Sequence, residues 1–199
     1  MGARIRLATV ADAAAVTAIY RPSVDGSVTS FETVAPDAAE MLRRIEGTLP
    51  AFPWLVCAID DMVAGYAYGG RHRERAAYRW SVEVSVYIDD AFRRRGVGRG
   101  LYESLFAILV AQGYATAFAG VTLPNPASVG LHESMGFEPI GAFRRIGHKY
   151  GAWHDVGWWQ LALRPYETTP DEPIDLVSLQ RGGDFAALLA TGLPRVRTG

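Results

Sequence analysis

Two groups of residues have types and spacings suited to chemistry. The run Arg93-Arg94-Arg95-Gly96-Val97-Gly98-Arg99-Gly100 follows a strand-patterned segment that ends at Ile88. It opens a helix whose apolar positions are Leu101, Leu105, Ile108 and Leu109, stopping at Gly113. Glycines let the backbone approach a ligand, and the free N–H groups of a first helical turn favour an anion such as a diphosphate. The dinucleotide fingerprint would need a further glycine and an acidic residue about twenty positions on, and the Walker motif a Gly-Lys-Ser/Thr; neither is present. The second group centres on Glu83, in Trp80–Ile88, where Val82, Val84, Val86 and Ile88 alternate with Ser81, Glu83, Ser85 and Tyr87. An ammonium near neutral pH has no lone pair, so an amine nucleophile needs a base, and Glu83 is the best-placed one. His132 would donate a proton to a leaving group or share the base role, because imidazole titrates near the working pH.

The elements that position these groups follow from the pattern. A strand is expected at Ile5–Ala8, then a helix from Thr9, with Asp12 completing a variant capping box, and a second helix from Pro36 to Leu49. The intervening stretch, Gly26 to Glu32, reads as a loop. Trp54–Ile59 and Met62–Tyr68, separated by Asp60-Asp61, predict an antiparallel hairpin. Ala115–Leu123 reads as a strand, Ala127–Met135 as a short helix, and Phe137–Leu163 as the last strands. This order implies a mixed sheet covered by helices on both sides, with a right-handed strand–helix–strand crossover. We expect one domain over residues 1–165 and a tail over 166–199, where Pro170, Pro173 and Gly182-Gly183 accumulate and one short helix fits Asp184–Ala190.

Composition narrows the partners. The chain has 199 residues, 49% of them hydrophobic, and a formal net charge of −1, which gives no global attraction for nucleic acid or an anionic membrane. The early Arg4, Arg6 and Asp12 do not suit a signal peptide, and no run approaches the roughly 18 apolar residues of a membrane span. A soluble cytoplasmic protein is expected. The lone Cys57 reads as a buried small hydrophobe with no base in its run, which argues against a covalent route. His148, His154 and Asp155 lack metal-ligand spacing, so no metal is proposed. The aromatic content near the last strands suggests a homodimer.

A third stretch, Asn125-Pro-Ala-Ser128-Val-Gly-Leu131-His132-Glu-Ser-Met-Gly136-Phe137, together with Arg93-x-x-Gly96-x-Gly98, resembles the signatures of the GNAT N-acetyltransferase superfamily. His132 stands where many members carry tyrosine. That departure, with Ser30-Phe31-Glu32, Trp80-Ser-Val-Glu83, Leu123-Pro-Asn125 and Gly147 to Trp158, is similar to the phosphinothricin acetyltransferase subgroup. The resemblance runs from Ile5 to Leu163. It implies an α/β fold with a mixed, mostly antiparallel sheet, helices on both faces and a splay between two central strands. It implies acetyl-CoA, its diphosphate on Arg94, Arg95, Gly96, Val97, Gly98 and Arg99. The pantetheine arm would lie along Val86, Tyr87 and Ile88, with polar contacts from Asn125 and Ser128. The acceptor would be a small amino-acid-like amine, phosphinothricin, methionine sulfoximine or a relative, met by Arg73, Arg75, Tyr78 and Tyr87, with Phe31 closing over it. Guanidinium groups suit its acidic oxygens, although Arg71-His-Arg-Glu-Arg75 also reads as a solvated loop. A peptide or polyamine acetyltransferase and a non-catalytic acyl-CoA-binding module remain open alternatives at this point.

Overall fold

The computed structural model describes residues 2–198. The chain runs β1 (Ala3–Leu7), α1 (Ala13–Asp25), α2 (Ala38–Thr48), β2 (Trp54–Ile59), β3 (Met62–Arg71), β4 (Ser81–Ile88), α3 (Val97–Ala111), β5 (Thr116–Leu123), α4 (Pro126–Ser134), β6 (Glu138–Lys149), β7 (Ala152–Ala162), α5 (Leu176–Gly182) and α6 (Phe185–Ala190). The strands form one seven-stranded sheet in the order β1-β2-β3-β4-β5-β7-β6. All neighbours are antiparallel except β4 and β5. The expected mixed, mostly antiparallel sheet with helices on both faces is borne out.

Local chemistry explains the boundaries. Thr9 N–H donates to Asp12 Oδ2 at 2.7 Å, but the expected first helix begins with a short 3₁₀ turn at Val10–Asp12 before α1. Asp37 accepts from Glu40 N–H at 2.7 Å and starts α2 later than Pro36. Asp60 and Asp61 both have positive φ, 49° and 67°, the backbone that a two-residue hairpin demands. Leu101, Leu105, Ile108 and Leu109 are fully buried against one face of the sheet, as their spacing predicts. Truncating one of them to alanine would cost about 2–5 kcal/mol. On the other face, α1 and α2 cover a ladder of Trp54, Tyr66, Tyr68 and Tyr87.

Two differences from the sequence reading matter for function. β3 continues past Tyr68 to Arg71, because its ladder with β4 persists through Gly69, Gly70 and Arg71. The segment read as a tail carries two helices instead of one and lies on the molecule: Leu176 is buried, and α6 packs on α3 and β1.

Candidate active site

β4 and β5 pair only over Ser81–Glu83 with Thr116–Phe118, and then part. From Val84 to Ile88, β4 keeps β3 on one side and has no strand on the other. This is the expected splay, and it leaves backbone N–H and C=O groups of a central strand in want of partners. Beyond the splay, Arg94 and Gly96 adopt positive φ, 59° and 78°, immediately before α3. Positive-φ residues in such a turn can direct neighbouring amides toward one concavity, an anion nest. The first amide bonded along the helix is Gly100, to Gly96 O at 2.9 Å, while the amides of Arg94 to Arg99 donate to no described residue. The arginine side chains are partly engaged elsewhere. Arg93 pairs with Asp90 at 2.6 Å, Arg95 lies over the Phe92 ring at 5.4 Å, and Arg99 donates to Ser134 O at 3.0 Å.

Glu83 is the last residue of β4 paired to β5, and its side chain is 39% exposed. Its Oε1 lies 2.9 Å from His72 Nδ1, which donates to the carboxylate. His72 stacks on Phe118 at 4.3 Å and meets Tyr78 and Trp158 edge-on. His72, Phe118 and Trp158 border a cavity of about 360 Å³ that Arg73 and Phe143 also line. The Trp158 indole N–H is buried without a partner among the described residues, a donor left for something polar. A second cavity, about 280 Å³, lies under α1 and α2 between Tyr20, Glu32, Arg44 and Tyr68.

The other expected residues are distributed differently. His132 is buried; its Nδ1 donates to Ser128 O at 2.8 Å and its Nε2 accepts from Tyr102 Oη at 2.9 Å. Burial holds its pKa below the ordinary value, against an opposing contribution from the Ser128 carbonyl. Both ring nitrogens are thus engaged within the protein, and the ring ties α4 to α3. Asn125 caps α4 by accepting from Ser128 N–H at 3.1 Å. Tyr87 stacks on Tyr66 at 5.2 Å and abuts Tyr20 at 5.0 Å, under α1. Arg75 and Tyr78 are exposed and line neither cavity. Phe31 rests against Gly147 and His154. Its loop is pinned by the buried Lys149, whose Nζ donates to Val24 O at 2.6 Å and Ser30 O at 2.8 Å. Among the described residues no group of three potential ligands could hold a metal ion.

Residues 5–158 match the acetyltransferase (GNAT) domain family. The chain belongs to the GNAT acetyltransferases. This GNAT chain is 40% identical over 171 residues to the phosphinothricin N-acetyltransferase of Streptomyces viridochromogenes, covering 85% of its own length and 93% of that protein. It is 34% identical over 172 residues to the L-methionine sulfoximine/L-methionine sulfone acetyltransferase of Pseudomonas aeruginosa, covering 85% of itself and all of the relative. The crystal structure of a GNAT superfamily phosphinothricin acetyltransferase from Sinorhizobium meliloti in complex with acetyl-CoA superimposes with a TM-score of 0.80 at 34% identity, covering 87% of this chain and 94% of that one.

Sequence reasoning missed His72, Phe118 and Trp158. A signal for His72 existed: Tyr66, Tyr68 and Gly70 alternate along β3, Gly70 is the register partner of Glu83, and the next residue in that alternation is His72. Ending the strand at Tyr68 hid it.

Proposed function

We propose that this GNAT acetyltransferase is a cytoplasmic homodimer that transfers the acetyl group of acetyl-CoA to the free amine of phosphinothricin, methionine sulfoximine or a related small amino acid, by direct attack. The observation that carries this reading is the position of Glu83. Its carboxylate stands where the unpaired edge of β4 begins and beside His72, which borders a cavity large enough for one amino acid. The residues present fit the donor: amides from Arg94 to Arg99 are free for a diphosphate, and the edge from Val84 to Ile88 for an amide-bearing arm. When bound, acetyl-CoA supplies an acyl carbon activated as a thioester.

The chain's own work is then largely proton handling and orientation. Glu83 accepts a proton from the acceptor ammonium, directly or through one water, and His72 Nδ1–H, donating to Oε1, orients the carboxylate. Arg73 meets the acceptor's acidic oxygens, and the aromatic walls of Phe118 and Trp158 exclude water. Cys57 takes no part: it is fully buried, and burial pushes its thiol up to about 11. The dimer reading rests on β6, an edge strand with Ile140, Phe143 and Ile146 about half exposed, whose burial against a second copy would cover an unpaired strand and an apolar patch.

The test is turnover of phosphinothricin, methionine sulfoximine, methionine sulfone, a short peptide and a polyamine at matched concentration, followed by thiol release. The sulfur and phosphorus amino acids should lead, and preference for peptide or polyamine would remove the substrate class. Light scattering should return twice the chain mass; a monomer mass would reject the dimer.

A further inference from the structure

The nest that holds the diphosphate has a second side, built from a part of the chain outside the family match. Residues 192–198 lie along the start of α3. Gly192 N–H donates to Ser104 Oγ at 3.0 Å, and Ser104, fully buried, donates to Leu189 O at 2.8 Å. Arg195 Nε bonds both carboxylate oxygens of Glu103, at 2.9 and 3.1 Å, and Leu193 and Val196 pack on the main core. The contact is backbone on backbone. A Cβ added at Gly96 would lie 1.9 Å from Arg195 O, and one added at Gly192 would lie 1.8 Å from Gly100 O. The glycines that read as room for a ligand are therefore also room for the chain's own C-terminal segment.

Where this segment ends on the loop is informative. Arg197 N–H donates to Arg95 O at 2.9 Å, and Arg197 Nη2 donates to Arg94 O at 2.6 Å. In a trans peptide the C=O and N–H point in opposite directions. Anchoring the carbonyls of Arg94 and Arg95 therefore turns the amides of Arg95 and Gly96 away from the segment, and these amides have no protein acceptor. A donor on the carbonyl also polarises the same peptide's N–H. Arg94 sits in a left-handed conformation that costs a non-glycine residue about 1–2 kcal/mol, so something must hold it there.

We infer that residues 192–198 are a positioning strap that preorganises the diphosphate-binding amides by taking up the carbonyl side of the loop, with Arg197 as its working residue. This rests on the reading that the nest binds the cofactor's diphosphate. The experiment compares full-length wild type, Arg197→Ala, Arg197→Lys and Gly192→Ala by calorimetric titration with CoA. Pantetheine, which has the arm but no diphosphate, is titrated as a competitor. Arg197→Ala should weaken CoA by roughly two- to tenfold, with pantetheine unchanged and Arg197→Lys recovering part of the loss. Gly192→Ala should act in the same direction; if it fails to fold, Arg197→Ala decides. Unchanged CoA affinity, or equal weakening of CoA and pantetheine, overturns the strap. A wild type that binds CoA no more tightly than pantetheine would instead overturn the diphosphate reading on which it stands.

Discussion

The two ends of the proposed active site are made of different material. The donor end is main chain: amides from Arg94 to Arg99, the unpaired edge of β4 and carbonyls held by Arg197. The acceptor end is side chain: a carboxylate from β4, an imidazole after β3, and rings from β5 and β7. A site of amides is common to every sequence that can adopt the backbone, so its demands fall on conformation and on glycine. Side-chain chemistry is lost with one substitution while the fold stands. Replacements at the acceptor end should therefore change turnover and leave CoA binding alone, whereas backbone changes at the donor end should do the reverse.

Glu83→Gln is the sharpest way to break that contrast. It removes the base but keeps the size and the capacity to hydrogen-bond His72. Steady-state turnover should fall roughly 10²- to 10⁴-fold, the range of general-base catalysis, with CoA affinity by calorimetry unaltered. Wild-type turnover in this variant would place the base elsewhere and leave Glu83 an ordinary strand residue.

His72→Phe should have a smaller effect, about a tenfold loss in kcat, because it removes an orienting hydrogen bond and not the base itself. Phenylalanine keeps the stack on Phe118, so the melting temperature and the KM for acetyl-CoA should hold. His72→Gln can still donate an amide N–H to Glu83 and should recover part of the rate. If Phe and Gln behave alike, the pair with Glu83 contributes packing alone.

The same contrast explains what could be read from sequence. The donor end is contiguous: eight residues from Arg93 to Gly100 carry both the glycines and the helix start, and a strand with clean alternation precedes them. Glu83 was legible because it is the one charged residue on the polar face of that alternation. Phe118 and Trp158 come from two other strands and meet His72 only through the register of β4, β5 and β7, which no local pattern encodes. The dipeptide Gly69-Gly70 weakened the strand signal just before His72. His132 shows the same limit of local pattern. Its type suggested acid chemistry, while Tyr102 on α3, thirty residues away in sequence, decides that its Nε2 is occupied. The strap was invisible because Pro170 to Gly183 reads as a linker, and its docking depends on Ser104 and Glu103, ordinary positions on α3.

The smallest expected effect separates the two ends by pH. The loop bearing Phe31 is tied by titratable groups: Arg44 pairs with Glu32 at 2.7 Å, and Tyr20 Oη donates to Glu32 at 2.8 Å. The Arg44 guanidinium, against a smaller opposing effect of burial, holds the Glu32 carboxyl below its ordinary 4.5. A depressed folded-state value means that the stabilisation is complete above 4.5 and lost as pH falls through the folded value. The pair is about one-third exposed, so its contribution should be a few tenths to about 1 kcal/mol after solvent screening. The melting-temperature gap between wild type and Glu32→Gln should therefore be largest near neutral pH and narrow as pH falls below 4.5 through the folded value. The ties of the donor nest are peptide groups, Arg197 and the Arg195–Glu103 pair, all of them unchanged between the two proteins. CoA affinity should consequently show no corresponding difference between the two proteins over the same range, and a parallel acid-dependent difference would mean that the loop and the nest are coupled.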